Sequence, residues 1–131
     1  MLIDTSAWVE FVRATGSPTH VRLRASVLDQ EPLATTDPVI LELLATAASR
    51  RERSRLRAAL DSCDHLAMVP RTDVEAAVEL FEACRRAGDP PRSTTNCLIA
   101  AIAIRHEVPL LHHDRDFDVM AQHTSLQVVA A

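Results

Sequence analysis

The chain has 131 residues, 47% of them hydrophobic, and a formal net charge of −4 at neutral pH. That composition excludes a disordered chain, and the length predicts one domain over residues 1–131 with a proper core. No apolar run approaches the roughly 20 residues of a membrane span, and Met1-Leu2-Ile3 lacks a basic leader, so a soluble cytoplasmic protein is expected.

Cys63, Cys84 and Cys97 are odd in number and form no Cys-x-x-Cys pair, which reads as reduced thiols. All 14 basic residues are arginine, and many sit in Arg50-Arg51-Glu52-Arg53-Ser54-Arg55-Leu56-Arg57, in Arg85-Arg86 or at Arg92. Acidic residues recur instead near the ends of predicted strands. A negative pocket beside positive patches suits a metal site working on a polyanion.

In chain order, Met1-Leu2-Ile3 reads as a strand buried on both faces that runs straight into Asp4. Thr5 or Ser6 is expected to cap the next helix, whose apolar positions Trp8, Phe11 and Val12 have helical spacing. Asp4 then lies at the carboxyl end of a central strand, where open α/β sheets place ligand chemistry. The plainer alternative is that Asp4 is itself a helix cap. Gly16-Ser17-Pro18 breaks the pattern, and a second helix is expected over Thr19 to Leu28 with Val21, Leu23, Ala25 and Leu28 partly buried.

Pro32-Leu33-Ala34-Thr35 is a weak strand. Asp37 as cap and Pro38 at the first helical position then open an apolar helix with Glu42 in its middle. A carboxylate among Ile40, Leu41, Leu43 and Leu44 is costly unless it is paired with an arginine or bound to a metal. Arg50 to Ser62 reads as an amphipathic helix that buries Leu56, Ala59, Leu60 and Cys63. Its arginine face is better read as solvated than as an RNA surface.

His65 to Pro70 is a short strand ended by proline. A long helix is expected over Asp73 to Ala87 with Val74, Ala77, Val78, Phe81 and Cys84 inward, followed by the loop Gly88-Asp89-Pro90-Pro91. Ser93 caps a strongly apolar helix with Asn96 in its first turn, near exposed backbone N–H groups. Val108 to Asp114 is another strand ending in an acid, with Asp116 and Asp118 close behind it. A short helix and a final strand over Leu126 to Val129 complete the chain. Strands alternating with helices predict right-handed crossovers and a parallel, doubly wound sheet.

Asp4 and Asp114 both end strands, so a parallel sheet brings them to one edge, with Glu42 and position 96 on helices that can lean over it. Clustered carboxylates repel, and a divalent cation relieves them. Oxygen ligands select Mg²⁺ or Mn²⁺ over zinc, a combination suited to phosphodiester hydrolysis.

Four segments carry a family resemblance: Ile3-Asp4-Thr5-Ser6-Ala7-Trp8, Pro38-Val39-Ile40-Leu41-Glu42-Leu43, Arg92-Ser93-Thr94-Thr95-Asn96-Cys97-Leu98-Ile99-Ala100 and His113-Asp114-Arg115-Asp116-Phe117-Asp118. In order and spacing the chain resembles the PIN-domain ribonucleases, specifically the VapC-like toxins of type II toxin–antitoxin pairs. The resemblance implies a three-layer α/β/α fold with a central, mainly parallel five-stranded sheet, usually dimeric, cutting RNA with Mg²⁺ or Mn²⁺. It also implies a small VapB-like antitoxin whose C-terminal segment covers the acidic cleft. Carried over by position, Asp4, Glu42 and Asp114 match the family's acids, and Asp116 matches a further acid of the last motif. Asp4, Asp114 and Asp116 are the expected metal ligands, and Asp118 lies beyond the motif. Thr5 or Ser6 matches a hydroxyl that orients the site, and Arg92 and Arg115 are candidates for RNA contact.

One position departs from the pattern: Asn96 stands where the family has aspartate. Asparagine is nearly isosteric but uncharged, which implies weaker metal binding and an attenuated or inactive nuclease. Its origin is either natural variation or a substitution that spares the producing host, and the otherwise intact motif favours the second. Two other functions compete. A non-catalytic metal-binding or regulatory module is compatible with Asn96. A phosphatase with an aspartate nucleophile would need a second aspartate two residues after Asp4, where Ser6 stands. A zinc site at His112 and His113 is disfavoured, because adjacent strand residues point to opposite faces.

Overall fold

Four very short strands organise the chain: β1 (Leu2–Ile3), β2 (Ala34–Thr35), β3 (Asp64–His65) and β4 (Leu110–Leu111). They form one parallel sheet in the order β3-β2-β1-β4 in a computed structural model that describes residues 1–131. Leu2 lies opposite Ala34 on one side and Leu110 on the other. Parallel neighbours need crossovers, and seven helices supply them or follow the last full strand. Helices α1 (Thr5–Arg13) and α2 (Pro18–Leu28) join β1 to β2. Helices α3 (Asp37–Ala45) and α4 (Arg50–Asp61) lead to β3. Helices α5 (Pro70–Arg86) and α6 (Thr94–Arg105) lead to β4, and α7 (Arg115–His123) follows it.

The α/β class and the parallel sheet agree with the sequence, but the sheet has four strands and not the five expected. The segment Leu126 to Val129 does lie parallel beside β4, yet only as a bridge between Leu110 and Val128. Leu110 donates to the Gln127 carbonyl at 3.0 Å, and Val129 donates to the Leu110 carbonyl at 2.8 Å. With only two residues in β4, the last segment has almost no ladder to extend.

The core explains why such short strands suffice. Leu2, Ile3, Leu110 and Leu111 are fully buried between helix layers, as runs apolar on both faces should be. Trp8, Leu23, Ile99, Phe117 and Met120 close around them. Helix α6 is buried along much of its length, and Ala100, Ala101 and Ala103 let it approach its neighbours closely.

Several local expectations need correction. Asp4, not Thr5 or Ser6, caps α1, and its side chain accepts the Ser6 N–H. Thr36 occupies the cap position of α3, which moves Asp37 and Pro38 into the first turn. Asp37 accordingly turns outward to His65 Nε2 at 2.8 Å. On α2 only Leu23 of the four expected apolar positions is buried, while Val21, Ala25 and Leu28 are exposed.

Helix α5 begins three residues earlier than expected, at Pro70, because Pro is at home in the first turn and Asp73 reaches back to accept the Val69 N–H at 2.7 Å. The fully buried Asp73 also holds Arg105 through Nε at 2.7 Å and Nη2 at 2.9 Å, fastening α5 to the end of α6. Val74 and Val78 are half-exposed and not inward. They line a groove of about 320 Å³ with Phe81 and Leu98 between α5 and α6.

Candidate active site

β1 and β4 run in parallel, so their carboxyl ends meet at one rim, and each is followed by an aspartate that caps the next helix: Asp4 directly, and Asp114 three residues on, since β4 stops at Leu111 short of the expected Asp114. At β1, Asp4 Oδ2 accepts the Ser6 backbone N–H at 2.9 Å and the Ser6 hydroxyl at 2.5 Å. At β4, Asp114 Oδ1 accepts the Asp116 N–H at 3.0 Å. Ser6 also ties the two strand ends together, because its Oγ accepts the His113 N–H at 2.8 Å. One oxygen of each acid is thereby committed to a helix N-terminus. The other is left for the notch between them.

The free oxygen of Asp4 is one of three buried side-chain polar atoms without a hydrogen-bond partner, with Trp8 Nε1 and Thr35 Oγ1, and it alone belongs to an acid. Asp4 is 2% exposed, and its Oδ1 is buried with no hydrogen-bond partner. A buried, unsatisfied carboxylate oxygen is costly unless something positive meets it. Burial raises the Asp4 pKa to about 6, the Ser6 hydrogen bonds oppose the rise, and the nearby Glu42 charge adds to it. Glu42 comes from α3 and accepts a hydrogen bond from Thr5 Oγ1 at 3.3 Å. No arginine accompanies it. Its pKa is also raised, first by burial and then by the charge of Asp114. Glu42 thus feels Asp114 and is felt by Asp4, although the three come from distant stretches of sequence.

Position 96 lies where the first turn of α6 meets this rim, with Ser93 rather than Asn96 capping the helix. Asn96 Nδ2 lies 3.0 Å from Asp114 Oδ2 and 3.0 Å from Asp116 Oδ2. Carboxylates only accept, so both amide protons point at acids and the amide orientation is fixed. Asp116 is 1% exposed and further engaged: its Oδ1 accepts the Arg92 N–H and its Oδ2 the Ser93 N–H, both at 2.9 Å. It brackets the start of α6 to the start of α7.

Other contacts gave no sequence signal. Asp114 N–H donates to His112 Nδ1 at 3.1 Å, which leaves the hydrogen of the neutral imidazole on Nε2, 3.3 Å from Asp118 Oδ1. Thr19 Oγ1 donates to the His112 carbonyl at 3.0 Å. Backbone donors to Asp116 could have been suspected only from the chance that the loop before Ser93 folds onto the last motif. Arg92 and Arg115 are exposed beside the rim, Arg92 with Nε 3.8 Å from Asp116 and Arg115 paired with Asp89 at 3.2 Å. The arginines of α4 are all exposed to solvent.

The donor set is all oxygen, which suits a hard divalent cation, and the orphaned Asp4 Oδ1 is an atom such a cation would satisfy. No three His, Cys, Asp or Glu side chains form a ready-made cage. Asp4 and Glu42 lie to one side, and Asn96 ties up Asp114 and Asp116 on the other. The residues fit a cation held from the Asp4 side, with one neutral corner.

A parallel sheet with acids from the end of β1, from α3 and from the loop after β4 near one rim belongs to the class of α/β folds that place oxygen-ligand sites at the strand ends. The PIN-domain model matches residues 1–122. Ribonuclease VapC11 of Mycobacterium tuberculosis is 40% identical over 131 residues, covering 99% of this chain and 98% of that protein. A VapC ribonuclease of Mycobacterium bovis matches to the same extent. The chain belongs to the PIN-domain family, among the relatives of the VapC ribonucleases.

Solved structures share its fold. VapBC2 of Rickettsia felis, bound to a promoter DNA fragment, superposes with a TM-score of 0.74 at 16% identity, covering 98% of this chain and 96% of the other. The sarcin–ricin-loop-cleaving toxin VapC20 of M. tuberculosis gives 0.65 at 17% identity, covering 96% and 98%.

Proposed function

We propose that this protein is the endoribonuclease toxin of a VapBC-type pair and hydrolyses RNA phosphodiester bonds at the Asp4–Glu42–Asp114 notch with Mg²⁺ or Mn²⁺. The observation that carries the reading is the buried, unpartnered Asp4 Oδ1 beside two further acids, since such an arrangement is relieved when a cation arrives. The ribonuclease activity of relatives 40% identical over the whole chain supports it.

Asp4 and Asp114 would hold the cation, with Asp116 contributing through its position next to Asp114. A bound ion would supply charge neutralisation at the phosphate and ease loss of a proton from the attacking water. Glu42, with its raised pKa, accepts that proton, and Thr5 Oγ1 orients it through Oε1. Ser6 fixes Asp4 relative to the β4 end. Arg92 and Arg115 neutralise phosphates flanking the cut.

Asn96 withdraws one negative ligand, so this form is attenuated or inactive. The experiment is RNA cleavage titrated with Mn²⁺ for the parent, Asn96→Asp and Asp4→Asn. Asn96→Asp should raise both Mn²⁺ affinity and cleavage, while Asp4→Asn abolishes whatever cleavage the parent has. Equal cleavage by the parent and Asn96→Asp at saturating metal refutes the role given to position 96.

The tying of Asp114 and Asp116 by Asn96 favours a second reading, a regulatory module without catalysis. Absence of cleavage at any Mn²⁺ concentration, even in Asn96→Asp, would select it. The toxin reading also includes one domain over residues 1–131, a homodimer, a cytoplasmic location and a small VapB-like antitoxin that covers the acidic cleft and folds on binding. Harmless expression of Asn96→Asp without any antitoxin would count against the toxin assignment.

A further inference from the structure

Buried Asp116 and half-buried Asp114 converge on one point, and beyond the backbone N–H groups that each accepts, a single neutral amide meets them both. Asn96 is 6% exposed, and its Nδ2 lies within 3.0 Å of an oxygen of both Asp114 and Asp116. Both of its protons are used. Ser93 caps α6, so nothing about the helix requires a polar residue at position 96. On the far side of the notch the contrast is complete, because Asp4 Oδ1 has no donor.

We propose that Asn96 is a built-in substitute for a cation on the Asp114–Asp116 side, so that this half of the notch is assembled in the metal-free protein. The inference rests on the nuclease reading for its assignment of these acids to a cation site. Its physical content is separate: an aspartate at position 96 would replace the side-chain donor that both acids share with a third carboxylate, and the repulsion among the three is what a divalent ion relieves. Folding of the Asn96→Asp variant is therefore coupled to metal on both sides of the notch, whereas in this chain only the Asp4 side is left for a cation. Asn96 acts as a positioning residue through the two acids it holds.

The test is thermal melting of the full chain, without RNA, for the parent, Asn96→Asp and Asn96→Ala at pH 7.5, in EDTA and across a Mn²⁺ titration. In EDTA, Asn96→Asp should melt about 10 °C below the parent, and saturating Mn²⁺ should restore it. The parent should rise less than Asn96→Asp over the same titration, since Mn²⁺ has only Asp4 to relieve there. Asn96→Ala, which loses the hydrogen bonds without adding charge, should melt lower in EDTA and stay low in Mn²⁺. If Asn96→Asp folds only with Mn²⁺ and unfolds on chelation, the proposal stands in its strongest form.

It is overturned if Asn96→Asp melts with the parent in EDTA, or if Mn²⁺ raises all three proteins alike. RNA cleavage measured on the same samples keeps the two ideas apart. The expected melting pattern without cleavage by any variant would remove the nuclease reading and leave the role of Asn96 intact.

Discussion

Replacing Asp4 by asparagine should abolish function and make the metal-free protein more stable. In Asp4→Asn the side-chain carbonyl can accept the two Ser6 hydrogen bonds now taken by Asp4 Oδ2, and the amide takes the place of Oδ1, which accepts nothing. Burial raises the Asp4 pKa from 3.8 to about 6. A group whose pKa is raised in the fold favours folding while protonated, and that contribution is lost as pH rises from about 4 through 6.

A difference of about 2 pH units corresponds to about 3 kcal/mol at neutral pH. For a chain of this length that is about 10 °C in melting temperature. Trp8 is the only tryptophan and is 2% exposed, so its fluorescence reports unfolding directly. Urea denaturation of the parent and Asp4→Asn in EDTA should show the variant gaining about 3 kcal/mol on the parent between pH 4 and pH 8. Parallel stability curves across that range would show that Asp4 is not held under electrostatic strain, and the case for a cation at Oδ1 would go with it.

Asp73→Ala should cost about 2–3 kcal/mol in denaturant unfolding, because Arg105 and the Val69 N–H lose a buried carboxylate. RNA cleavage by the protein that remains folded should be unchanged, since this bracket lies away from the rim. Ser6→Ala removes the hydroxyl that joins Asp4 to the β4 end. With Asn96→Asp as the active background, it should lower kcat at least about tenfold, and an unaltered kcat would show that Ser6 serves folding alone. In the same background, Arg92→Ala and Arg115→Ala should each reduce the slope of log affinity against log salt by about 0.7 for a single-stranded RNA, measured by fluorescence anisotropy. An unchanged slope would remove that arginine from the RNA path.

The parts of this architecture written in short apolar runs are legible in the sequence. Met1-Leu2-Ile3 and Leu110-Leu111 read as buried strands because nothing polar interrupts them, and their trailing aspartates mark the rim. Glu42 stands out because its neighbours are all apolar. Helix faces are harder, since Val74, Val78, Val21 and Leu28 have apolar side chains at helical spacing yet remain half or more exposed. Hydropathy records what a side chain could bury, not whether a neighbour arrives to cover it. The cap of α1 is ambiguous because Asp4, Thr5 and Ser6 are all capable of the task, and the sheet edge decides among them. Arg92 and Ser93 as donors to Asp116 join residues more than twenty positions apart through a loop conformation that no periodicity encodes.

Asp4 and Asp114 each have two employments, one at the rim and one at the start of a helix. Losing either side chain would fray the helix that follows, by about 1 kcal/mol for an ordinary cap. A descendant that had abandoned catalysis would still be under pressure to keep a capping side chain at both positions, although asparagine would serve at position 4. A capping residue there therefore certifies the scaffold, and the carboxylate itself is what speaks for the chemistry. Position 96 has no such second duty at a helix end, and it is there that a change of trade can be recorded without dismantling the house.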